Sequence, residues 1–192
     1  MNICIYGASS NKIDSSFMES AEKLGEELAK RGHSLVFGGG TNGLMGAVAR
    51  GFSKKDGKII GIAPSFFNVD GVLFDKCDEF IYPETMRKRK EIMEQKSDAF
   101  IMTPGGVGTF DEFFEILTLK QLGLHSKPIA IFNINGYFDN LIATLNSAVD
   151  TKFMDNRTLE LCPVFEETTP LINYLENYKG EAKLYKCIAG ER

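Results

Sequence analysis

The sequence predicts a doubly wound α/β domain, and three observations carry that reading. Short apolar runs alternate with amphipathic stretches along the whole length. The apolar runs are continuous rather than alternating, which is how strands read when a parallel sheet is covered on both faces. The glycine-rich segments fall directly after such runs, at the strand ends where open α/β sheets bind their ligands.

Taken in order, NICIYG opens the chain as a strand. Phe17, Ala21, Leu24 and Leu28 follow at spacings of 4, 3 and 4 residues, so they share one face of a helix. Asp14, Ser15 and Ser16 offer capping oxygens at its start, and Gly32 offers a stop. SLVF is the second strand, and a Gly-rich turn leads from it to a short helix over Leu44 to Phe52. KIIGIAP and EFIYP are the third and fourth strands, followed by a helix from Thr85 to Gln95. DAFIM is a strand that runs into TPGGVGTFDE and another helix, and PIAIF is the next strand. Phe138, Leu141, Ile142, Leu145 and Val149 mark one face of the following helix; LCPVF and a helix ending near Tyr178 close the pattern. The expected architecture is a Rossmann-like, mostly parallel sheet with helices on both faces. It forms one domain over residues 1–178, with a polar tail over 179–192.

A chain of 192 residues fits a single domain, which buries about 70% of its unfolded surface. Its 43% hydrophobic and 25% charged residues are ordinary for a globular protein. A net charge of −4 gives no global field toward nucleic acid or a membrane surface, so neither is an expected partner and any hold on a phosphate must be local. The start, MNICIYGASS, has no basic region, and its apolar run is too short for a signal peptide or a membrane span. Cys4, Cys77, Cys162 and Cys187 are scattered, as free thiols in a reducing cytoplasm would be, with no zinc-like spacing. His33 and His125 read as loop or surface residues.

Three constellations stand at strand ends. GGGTNGLMG matches GxGxxG through Gly38, Gly40 and Gly43, so a dinucleotide site has to be weighed. The match follows the second strand rather than the first, and KIIGIAP carries no acid to hold a ribose hydroxyl. Glycines that only relieve the turn, or backbone amides brought close to part of a nucleotide, are the other readings. In ETMRKRKE the four consecutive cations point 100° apart and cannot all serve one site. Met86, Arg89 and Met93 share a face, with Lys90 at its edge and Arg87 and Lys88 toward water. Arg89 is thus a charge embedded in an apolar stripe.

The third constellation is TPGGVGTFDE. Gly105, Gly106 and Gly108 allow an open loop before a helix whose first amides would point outward with the positive end of its dipole behind them, a phosphate site in physical terms. The GK[ST] ending of a P-loop is missing. Thr109 to Glu112 also fits a capping box, in which the carboxylate only reaches back to its own helix start. Alternatively Thr109 donates to a phosphate oxygen and Glu112 faces a sugar ring, where its charge would stabilise a cation forming at an anomeric carbon.

At these motifs the sequence closely resembles the lonely guy family of cytokinin-activating phosphoribohydrolases, often labelled lysine decarboxylase-like. Pro104 to Glu112 matches PGGxGTxxE in full, Gly38 to Gly46 fits GGGxxGLMG, and Met86 to Lys90 looks like the second family pattern. LGLHSKPI and GYFDNLIATLNSAVDTKFM are similar to its later segments, so the likeness runs from about Asn2 to Val164. The resemblance implies hydrolysis of the N-glycosidic bond of AMP or N6-substituted AMP, without metal or other cofactor, by a homodimer. It implies Arg89 and Glu112 as the catalytic pair, and Gly39, Gly40, Met86, Lys90, Gly105, Gly106, Val107, Gly108 and Thr109 as substrate-binding residues. Arg87 stands where plant members commonly have His, and no distinct motif for a Schiff-base lysine is present. A nucleotide or phosphorylated-cofactor carrier that holds its ligand uncleaved is the alternative.

Overall fold

The structure, a computed structural model, describes residues 1–180 except Asn68 and Asp70. Cys187 and the tail over 181–192 lie outside the described residues. The strands are β1 (Asn2–Tyr6), β2 (Ser34–Phe37), β3 (Ile59–Ile62), β4 (Glu79–Ile81), β5 (Ala99–Met102), β6 (Ile129–Phe132) and β7 (Val164–Phe165). The helices are α1 (Ser15–Lys30), α2 (Gly43–Ser53), α3 (Met86–Lys96), α4 (Val107–Gln121), α5 (Asp139–Asp150), α6 (Arg157–Glu160) and α7 (Thr168–Asn177).

All the strand pairs are parallel, and the order is β4-β3-β2-β1-β5-β6-β7. The chain builds outward from β1 to β4, then returns to place β5 on the other side of β1. That reversal opens a crevice at the carboxyl ends of β1 and β5, the switch point where such folds bind ligands.

Alternation along the strands sorts the core into two layers. Ile3 and Ile5 join Leu24, Leu28, Val48 and Leu171 beneath α1, α2 and α7. Cys4 and Tyr6 point the opposite way and join Met93, Phe113 and Ile116 beneath α3 and α4. Each fully buried Leu or Ile contributes about 1.5–3 kcal/mol, so the site rests on a stiff platform.

Local chemistry sets the ends of α1. The Asp14 carboxylate accepts from the Ser16 amide at 2.9 Å, and Gly32 takes φ +76° just past the last turn. The stripe expected on α5 does form one face, half-buried beyond Phe138, and the single turn of α6 is too short to announce itself by periodicity. Among the described residues no helix is long and apolar enough to cross a membrane.

Candidate active site

The β1, β2 and β5 exits meet at one cleft of about 590 Å³, within the usual range for ligand sites. Gly7 to Ser10 follow β1, Gly38, Gly40 and Asn42 follow β2, and Gly106, Gly108 and Thr109 follow β5. Met86 and Arg89 come from α3 and Glu112 from α4, while Met45, Phe67, Val72 and Leu73 add an apolar wall. With β1 between them, the loops after β2 and β5 stand two strand spacings apart, about 10 Å. That is the scale of a mononucleotide.

The two glycine motifs differ in what their amides are doing. At the start of α2 the Gly43 amide donates to the Asn11 side-chain carbonyl at 2.8 Å, and the Met45 amide donates to the Ala8 carbonyl at 3.2 Å. At α4 the amides of Gly106, Val107, Gly108 and Thr109 have no partner among the described residues, and Gly106 and Gly108 are exposed. The start of α4 thus offers four successive unpaired donors, those of Gly106 and Gly108 on exposed residues. Gly38 and Gly105 serve close approach instead. A Cβ on Gly38 would run into the Arg89 guanidinium, and one on Gly105 would run into Thr109 and, at 3.0 Å, the Ala8 amide nitrogen.

Helix α4 begins at Val107 with Gly106 as its cap, so Thr109 is already inside the first turn. The capping-box reading of Thr109 and Glu112 therefore does not hold. An extended glycine ends the loop three residues earlier than that box requires, and the Glu112 carboxylate accepts from Arg89 Nη1 at 2.5 Å instead. Arg89 is itself anchored, donating through Nε to the Ile62 carbonyl at 3.1 Å. Its side chain and that of Glu112 are only 10% and 12% exposed. Burial raises the Glu112 carboxyl above its usual pKa, and the neighbouring guanidinium opposes the rise without cancelling it.

Not every residue expected at the cleft lines it. Lys90 is turned to the flank of α4, where its ammonium pairs with Asp111 at 3.0 Å and with Glu115. Its place at the edge of the helix face sends it toward these acids rather than the substrate loops. Val107 is 85% exposed on the outer side of α4. Gly39, at φ +77°, faces the Phe80 ring, and Gly105 lies buried behind the loop. Met86, Arg89, Gly40, Gly106, Gly108, Thr109 and Glu112 are brought together. Sequence reasoning passed over Ser9, Ser10, Asn42, Met45, Phe67, Val72 and Leu73. The first two follow a strand directly, so the strand-end rule would have found them; the apolar wall has no local signal. His33 and His125 both lie in loops; His33 is buried there, facing Glu176 at 3.0 Å, and His125 faces the Ile116 carbonyl at 2.9 Å. Neither reaches the cleft.

Residues 45–175 match the family described as "Possible lysine decarboxylase". The chain is 33% identical over 176 residues to the cytokinin riboside 5'-monophosphate phosphoribohydrolase LOG2 of Arabidopsis thaliana, covering 92% of this chain and 83% of that protein. It is 35% identical over 176 residues to LOG3 of the same plant, a protein of the same description, covering 92% and 82%. Among solved structures, the molybdenum cofactor binding protein of Rippkaea orientalis shares the fold with a TM-score of 0.71 at 23% identity, over 91% of this chain and 94% of that one.

Proposed function

The chain belongs to the family that joins the possible lysine decarboxylases with the cytokinin riboside 5'-monophosphate phosphoribohydrolases, and from that premise we propose that it hydrolyses the N-glycosidic bond of AMP or N6-substituted AMP. Water adds to the anomeric carbon, the carbon–nitrogen bond breaks, and the base leaves with a proton, giving free base and ribose 5-phosphate. The observation that carries this reading is the Arg89–Glu112 pair at 2.5 Å in the same cleft as the unpaired amides of α4. Those amides and Thr109 bind the 5'-phosphate, with the helix dipole behind them. Glu112, about one turn further along, presents its carboxylate to the sugar carbon where positive charge develops. Arg89 orients that carboxylate and favours its ionised form.

Met45, Phe67, Val72, Leu73 and Met86 offer the apolar surface that an N6 prenyl group needs, which supports substituted AMP as a substrate. No lysine lines the cleft among the described residues, so lysine Schiff-base chemistry has no support there. The deciding assay mixes pure protein with AMP and with N6-isopentenyl-AMP and separates the products by chromatography. Free base from either is the expected result; intact nucleotide from both overturns the reading.

A homodimer is part of the same proposal. Val107, Phe114, Leu122 and Leu124 leave apolar surface uncovered on and just after α4, and Phe153 after α5 is 90% exposed. Light scattering at twice the chain mass is expected, and a monomer at micromolar concentration sinks it. The cytoplasm is the compartment that the free thiols of Cys4, Cys77 and Cys162 fit.

A further inference from the structure

We infer that Tyr137 is a positioning residue that sets the direction of the phosphate-binding amides. The inference rests on the reading of α4's first turn as the phosphate cradle. Tyr137 stands in the turn after β6 and donates its hydroxyl hydrogen to the Gly105 carbonyl at 2.7 Å. The peptide unit is planar and trans, so the carbonyl of Gly105 and the N–H of Gly106 point in opposite directions from one rigid plate. Holding the carbonyl toward Tyr137 therefore aims the Gly106 amide away from it. Both neighbours of that plate are glycines, and nothing lies within 4 Å of a Cβ placed on Gly106. The Gly105 end is packed against Thr109 and Ala8, so the freedom that sterics leave the plate lies at its Gly106 end. The tyrosine hydroxyl removes that freedom before a ligand arrives, which is preorganisation of a binding loop.

Tyr137 is itself built to hold still. Its ring meets Phe17 edge-on at 6.1 Å and Phe138 at 4.9 Å. The turn that carries it is closed by Asn133, whose side chain accepts from the Phe138 amide at 2.7 Å and donates to Asp139 at 2.8 Å. Although 44% of its surface is exposed, the residue is fixed at both ends of its ring.

The test is Tyr137→Phe, which keeps the ring contacts and removes only the hydroxyl. One neutral hydrogen bond corresponds to about a 3- to 10-fold rise in Kd for AMP, with adenosine affinity unchanged, because adenosine has no phosphate to place. In turnover the same factor is expected in KM, with kcat moved less. Unchanged AMP affinity overturns the inference, and so does an equal loss for AMP and adenosine, which would make Tyr137 a general brace of the fold. Calorimetry is run in the Glu112→Gln background, where AMP is not consumed at the parent rate, and base release by the parent chain is assayed separately, so a protein that binds AMP without cleaving it sinks the hydrolase reading and leaves this one standing.

Discussion

Arg89 on α3 donates to the carboxylate of Glu112 on α4 at 2.5 Å while its Nε donates to the Ile62 carbonyl at the end of β3. One guanidinium thus ties two helices to a strand end at the floor of the cleft. Both side chains are nearly buried, and a buried pair of this kind is costly to break one partner at a time, about 3–5 kcal/mol.

Glu112→Gln separates chemistry from scaffolding. The amide still accepts a hydrogen bond from Arg89 but carries no charge to stabilise an oxocarbenium-like centre. Turnover is expected to fall about 10²- to 10³-fold, with the protein still folded and thermal unfolding still cooperative. Release of base by the variant at the unaltered rate would return Glu112 to a purely structural part.

The pair also governs pH dependence. Burial has already raised the Glu112 carboxyl and Arg89 holds it down, so removing the guanidinium must raise it further. With an ionised Glu112 as the working form, the acid limb of kcat/KM moves to higher pH in Arg89→Gln. For stability the sign follows from the same shift. A carboxyl raised on folding contributes stability below its unfolded pKa and loses it as pH rises through the folded value. An acid limb that stays in place or moves downward in Arg89→Gln would rule this coupling out.

Gly38→Ala probes the close approach at the end of β2. The added methyl would meet the Arg89 guanidinium and, at 3.3 Å, the Met45 sulfur. Overpacking of this kind costs about 1–3 kcal/mol, and here it also pushes Arg89 off Glu112. Both the unfolding midpoint in urea and turnover are expected to drop. Loss of stability with full turnover would show that the pair tolerates displacement.

How much of this was legible in the sequence depends on how far each cause lies from its effect. The Asp14 cap and the Gly32 stop are local, and both read directly from the chain. Arg89 was legible because a charge inside the stripe of Met86 and Met93 is anomalous on its own helix. Its partner required knowing that α3 and α4 flank the same sheet face, a fact of topology rather than of any window. The same limit hid the acids that Lys90 meets on α4 in the next βα unit, and the hydroxyl of Tyr137, 32 residues from the carbonyl it meets. A spacing that fits a capping box gives no sign that Gly106 has already started the helix.

Lys120 supplies a last expectation, away from the cleft. Its ammonium donates to the Leu161 carbonyl at 2.9 Å and lies 4.7 Å from the Tyr178 ring centroid, yet burial lowers its pKa to about 8. Unfolded, the amine returns to about 10.4. Between those values the unfolded chain binds a proton that the folded one does not, so stability from this group rises with pH, by at most about 1.4 kcal/mol per unit. Lys120→Met removes the titration and should flatten the difference in urea midpoints between pH 8 and pH 10 relative to the parent chain. Equal slopes for the two proteins would mean that the folded amine keeps its proton throughout, held by the carbonyl and the ring more firmly than burial opposes it.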